Sequence, residues 1–101
     1  MPHISVYTIT NMIIEFDPAK NAKNITERGL DFGFVVDFDW STAQIEQDDR
    51  KDYGEIRYQA TGYLQGRLMV LVFKPIEAGI RVISFRKANS REIRRYETNK
   101  N

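Results

Sequence analysis

The chain has 101 residues, enough for one hydrophobic core and too few for two. Hydrophobic residues make up 42%, so packing needs no help from metal or disulfide, and the lack of cysteine excludes a disulfide scaffold, a thiolate zinc site and a cysteine nucleophile. Net charge is +1, the single histidine is His3 near the start, and neither a histidine metal cluster nor a Ser-His-Asp triad can be assembled.

Residues 3–9 alternate apolar and polar with β-branched enrichment, which predicts a strand, and 12–16 is a second short apolar run. Asp17-Pro18 is a helix start, with a capping acid before a first-turn proline, and Gly29 after Arg28 is a suitable stop. Asp31 opens a second helical stretch over 32–38, with Phe32, Val35, Val36 and Phe38 as its core face. Residues 44–52 are polar and acidic and read as a loop, flanked by a short strand over 40–45.

Three strand-like runs follow. Residues 55–63 alternate, placing Ile56, Tyr58 and Ala60 on one face and Glu55, Arg57, Gln59 and Thr61 on the other. After the Gln65-Gly66 turn, 67–74 is apolar enough for a central strand ended by Pro75, and 80–86 follows Gly79. Two tight connections in succession argue for an antiparallel meander. Asn89 then caps a terminal helix, Glu92 completes a capping box, and Ile93 and Tyr96 are its apolar contacts. The fold class is α+β: a small antiparallel β-sheet with N-terminal helices and a C-terminal helix. No run approaches the ~18 apolar residues of a membrane span and no signal-peptide pattern is present, so a cytoplasmic protein without membrane contact is expected.

Charge is unevenly distributed. Residues 1–55 carry five basic and eleven acidic side chains, and 56–101 carry ten and three. The basic half is densest at Arg81, Arg86, Lys87, Arg91, Arg94 and Arg95, interrupted only by Glu92. Such asymmetry points to an anionic ligand, the plainer alternative being a solvated helix beside an acidic loop.

Four pieces, in order, resemble one family. Phe16-Asp17-Pro18-Ala19-Lys20 with Asn24 four residues on is similar to the opening of BrnT toxins. Glu55-Ile56-Arg57 with Gly62, then 67–72, resemble two of their strands, and 80–88 with Glu92 and Tyr96 resembles their terminal signature. The resemblance implies a RelE-like fold over residues 14–97, between an N-terminal extension (1–13, a candidate extra strand) and a short tail (98–101). It implies a metal-independent endoribonuclease without cofactor, neutralised by a BrnA-type ribbon-helix-helix antitoxin through which alone it reaches operator DNA. The sequence departs from the family in three places. Glu27-Arg28-Gly29 stands where Lys-His-Gly is usual, Phe85 where a small alanine is usual, and the 13 residues before Ile14 are additional.

Metal-free RNA cleavage needs the substrate 2′-hydroxyl as nucleophile and cations that stabilise the phosphorane. Arginine suits this because its fork pairs with two phosphate oxygens and stays charged. Arg57, Arg81, Arg86, Lys20 and Glu55 are the catalytic candidates, Glu55 as a base. Five residues separate Arg81 from Arg86, which puts them on opposite faces of an ideal strand, so a shared site requires a twist, a bulge or an end of the strand before Arg86; the last is expected. A salt bridge to Glu92 or Glu55 is the alternative for one of them.

Asn24, Lys87, Arg91, Arg94 and Tyr96 are the RNA-binding candidates. Lys20, Asn24 and Arg28, four apart, line one face of the first helix, which in the plainer reading is merely its wet side. Tyr96 is a base-stacking candidate or a packing residue. The terminal arginines, Arg95 included, attract RNA or dock an acidic partner. Apolar positions 4, 6, 7 and 9 would form an edge strand able to pair with the antitoxin or a second copy, giving a homodimer. Two other readings stand beside the toxin: a degenerate toxin acting as a protein-binding module or operon co-repressor, and an unrelated α+β domain binding a small anion.

Overall fold

The computed structural model describes residues 5–9 and 12–100, the former by backbone only. His3 and the apolar side chains at 4, 6, 7 and 9 lie outside the described residues. The elements are β1 (Ser5–Ile9), β2 (Met12–Phe16), α1 (Pro18–Arg28), a 3₁₀ helix (Phe32–Asp37), β3 (Asp39–Gln47), β4 (Tyr58–Leu64), β5 (Arg67–Ile76), β6 (Gly79–Lys87) and α2 (Ser90–Thr98). The strands form one sheet in the order β1-β2-β6-β5-β4-β3. Among the described residues no helix is long and apolar enough to cross a membrane.

The meander over β4, β5 and β6 is antiparallel as the tight turns require. The sheet as a whole is mixed, however, because β2 joins β6 in parallel, Ile13 to Glu15 opposite Gly79 to Arg81. Two strands therefore precede the helical segments, which connect β2 to β3 and are not N-terminal. The parallel junction depends on Gly79, where a Cβ would overlap the Ile13 carbonyl. It is sealed by the Ile13 N–H donating to the Ala78 carbonyl at 2.9 Å.

α1 begins as its sequence dictates, with the Asp17 carboxylate accepting from the Ala19 N–H at 2.9 Å, and ends at Gly29 in a left-handed conformation. The second helical stretch is shorter and tighter than expected. It is a 3₁₀ helix opened by Asp31, whose carboxylate accepts from the Gly33 N–H. Its three-residue turn stacks Phe32 and Val35, with Phe38 following at the same interval, and all three are buried.

These rings cover one face of the sheet, where Ile14, Phe16, Met69, Leu71, Phe73, Val82 and Phe85 form the core. Phe16 meets Phe32 edge to face at 5.8 Å, and Phe38 meets Phe85 at 6.3 Å. Phe85, fully buried, fills the space that a smaller residue would leave open.

α2 lies on the opposite face, where Leu68, Val70, Val72, Gln59 and Thr61 are buried. Its capping box is formed by Asn89 and Glu92. Ile93 does not anchor it, being 42% exposed. Polar contacts hold the helix instead: the Tyr96 hydroxyl donates to the Thr42 carbonyl at 2.7 Å, and the Gln44 amide donates to the Tyr96 carbonyl at 3.1 Å.

Three strand boundaries differ from expectation. β3 runs on to Gln47 where a loop is expected from residue 44, because an edge strand has one free side and tolerates polar residues. β4 starts at Tyr58, leaving Glu55 to Arg57 in the approach to the strand and Ile56 58% exposed. β5 continues past Pro75 to Ile76.

Candidate functional site

Arg81 and Arg86 share a face, and a bulge is the reason. Across β5 and β6, Val72 pairs with Ser84 but Phe73 pairs with Val82, so Ile83 is the extra residue. The alternation resets there. Arg81, Ser84 and Arg86 all fall on the face of Lys74, Val72 and Val70, away from the core. The expected ending of the strand before Arg86 does not occur, since β6 continues to Lys87.

A row of charged side chains crosses one end of this face. Glu15, Arg81 and Lys74 are direct neighbours across β2, β6 and β5. Two cations side by side repel, and each is compensated on its outer flank. Glu15 Oε1 lies 3.6 Å from Arg81 Nη1, and Glu55 Oε1 lies 3.4 Å from Lys74 Nζ. The other Glu55 oxygen accepts from Arg57 Nε at 2.8 Å, and the Arg57 guanidinium lies 4.2 Å from the centre of the Tyr53 ring. Arg57, and secondarily Lys74, hold the Glu55 carboxyl below the usual carboxylate range. Glu55 is therefore ionised at neutral pH and a poor proton acceptor. The terminal Nη groups of Arg57 make no hydrogen bond among the described residues, so its fork is open to an anion.

Arg86 is placed differently. Its Nη1 and Nη2 both bond Glu92, each at 2.8 Å, and Glu92 Oε1 also accepts from the Asn89 N–H. The Arg86 guanidinium first, with help from that backbone N–H, pulls the Glu92 carboxyl down to about 2. Arg86 thus clamps the start of α2 to the sheet. Arg50 adds a further cation close enough for its charge to act on Arg86. Asp48, buried, grips the Arg50 guanidinium with both oxygens at 2.7 and 2.8 Å, and its N–H donates to the Arg57 carbonyl at 2.8 Å. Asp48 therefore fixes the neck of the loop that leads to Arg57.

The stripe on α1 is divided. Asn24 is buried, its amide donating to the Leu30 carbonyl at 2.9 Å and the Phe85 carbonyl at 3.1 Å, while its oxygen accepts from Arg28. β2 pairs with β6 only as far as Arg81, and Asn24 satisfies a β6 carbonyl beyond that point. Asn24 therefore joins α1 to the sheet and is not offered to solvent. Lys20, a turn earlier, is exposed, as are Lys87, Arg91 and Arg94. Tyr96 is buried, with its hydroxyl committed to Thr42 and its ring edge-on to Tyr63.

Arg50, Tyr53 and Lys74 were not among the sequence candidates. Lys74 was within reach of the pattern, since its spacing of two puts it on the face of Val70 and Val72. Arg50 and Tyr53 sit in an acidic loop whose path no periodicity reveals.

Fold and site together define a small α+β protein whose sheet presents Arg57, Arg81 and Lys74 on one face beside a clamped C-terminal helix. Residues 16–92 match the family described as ribonuclease toxin, BrnT, of type II toxin-antitoxin systems, and the chain belongs to that family. Its role is that of the toxin, and an antitoxin partner follows from membership. No curated protein matches the sequence.

Proposed function

We propose that this toxin is a metal-independent endoribonuclease of RelE-like fold, held inactive by a BrnA-type ribbon-helix-helix antitoxin that carries it to operator DNA. The observation that carries this reading is the cross-strand pair of Arg81 and Lys74, beside which Glu55 holds Arg57 with its fork open. In the reaction the 2′-oxygen of RNA bonds to phosphorus as its proton leaves. The bond to the 5′-oxygen breaks as that oxygen is protonated, leaving a 2′,3′-cyclic phosphate and a 5′-hydroxyl. Arg57 and Arg81 stabilise the charge on the phosphorane, and Glu55, a weak base, orients Arg57. Arg86 supports the site from beneath α2, and Lys20, Arg91 and Arg94 attract the RNA backbone.

A second reading, a degenerate toxin that binds protein or acts as a co-repressor, is favoured by Arg86, whose terminal donors are both consumed by Glu92. Purified protein incubated with total RNA in EDTA separates the two. Cleavage that Arg57→Ala abolishes supports the ribonuclease, and intact RNA with the wild type supports the binding module.

A further inference from the structure

Two concavities meet at Leu30 and Lys87, the first on the core side of the sheet and the second around the end of β6. The first, about 240 Å³, is floored by Leu30, Leu64 and Met69 and walled by Phe34, with Arg67 and Lys87 at its rim. The second shares Leu30 and Lys87 and adds Arg28 and Arg86. Phe34 lies off the buried stripe of Phe32, Val35 and Phe38, and is 46% exposed. No acidic residue lines either concavity, and neither Arg67 nor Lys87 has an ion-pair partner among the described residues. An apolar floor under unpaired cations is complementary to an aliphatic or aromatic anchor flanked by carboxylates. RNA is a poorer fit, because a floor of Leu30, Leu64 and Met69 offers its phosphates and sugars no hydrogen bonds.

We infer that this groove holds an acidic segment of the antitoxin, with an apolar side chain packed against Phe34 and carboxylates meeting Arg67 and Lys87. The inference rests on the toxin reading and adds where the partner grips. The grip is on the face opposite the arginine row, and the segment leaves the groove past Arg86, where β6 ends. An interface centred on one ring in a pocket concentrates its energy there, while rim charges contribute less.

The test is calorimetric titration of the full-length toxin with the antitoxin encoded with it, using wild type, Phe34→Glu and Arg67→Glu. RNA cleavage, RNA affinity and the unfolding midpoint are followed for each. The expected result is antitoxin affinity weakened on the order of 30-fold by Phe34→Glu and several-fold by Arg67→Glu, with cleavage and midpoint unchanged. If Phe34→Glu proves unfolded, Arg67→Glu decides alone. Wild-type antitoxin affinity in the folded variants overturns the inference. Loss of RNA affinity with antitoxin binding intact overturns it too, and makes the groove an RNA surface. An antitoxin that does not bind even the wild type removes the partner reading together with the groove. A wild type that binds antitoxin through Phe34 but cleaves nothing leaves the groove standing and removes only the catalytic reading.

Discussion

The carboxylate of Glu92 meets the guanidinium of Arg86 edge to edge, two parallel bonds of 2.8 Å between a strand and the first turn of the last helix. Apolar anchoring of α2 comes from Tyr96 almost alone, so this pair carries much of its attachment. Arg86→Ala strands a largely buried carboxylate beneath the helix and is expected to destabilise the fold by about 2–3 kcal/mol. Urea denaturation measures the loss, and an unchanged midpoint would show that α2 is held by other means.

The same pair gives an acid dependence whose sign is fixed. Glu92 titrates near 2 in the folded protein and ordinarily at 4.5, so its contribution is fully present above 4.5 and is lost as pH falls toward 2. Asp48, held low chiefly by Arg50, and Glu55, held low chiefly by Arg57, act in the same direction. The stability difference between wild type and Glu92→Gln is expected to shrink steadily between about pH 4.5 and about pH 2. Denaturation curves at a series of pH values read it directly, and a constant difference would contradict the assignment.

Asn24 separates a structural role from an RNA-binding one. Asn24→Ala leaves the Leu30 and Phe85 carbonyls without their donor and is expected to cost about 1–3 kcal/mol. The surviving folded fraction should cleave RNA at the wild-type rate. A fall in rate with stability preserved would return Asn24 to the RNA interface.

Gly79→Ala tests the parallel junction. The new Cβ would occupy the position of the Ile13 carbonyl, so β2 must move off β6. Amide exchange at Ile13, protected by the Ala78 carbonyl in the wild type, is expected to accelerate by at least about tenfold.

Much of the fold follows from local signals. Asp17-Pro18 and Gly29 delimit α1, Asn89 and Glu92 start α2, and Gln65-Gly66 turns β4 into β5, because caps and turns are decided by residues close in sequence. The parallel pairing of β2 was hidden, since its cause is the missing side chain of Gly79 against a backbone 66 positions away in sequence. The site was half visible. Arg57, Arg81 and Glu55 stood out as residue types, but the common face of Arg81 and Arg86 depends on one extra residue at Ile83, and a bulge has no signature in an apolar strand. Asn24 misled because a polar residue on a helix face reads as wet unless the carbonyls it satisfies are known.

The central claim is that this arginine face cleaves RNA through the substrate's own 2′-hydroxyl, and single-turnover cleavage in EDTA tests it most directly. The substrates are an RNA oligonucleotide and its counterpart carrying one 2′-deoxy sugar at the mapped cleavage position, each with wild type and Arg57→Ala. The account predicts cleavage of the all-ribose substrate to a cyclic phosphate, none at the deoxy position, and a rate lower by about 10²–10³ for Arg57→Ala. Equal cleavage by both proteins, or cleavage at the deoxy position, would contradict it.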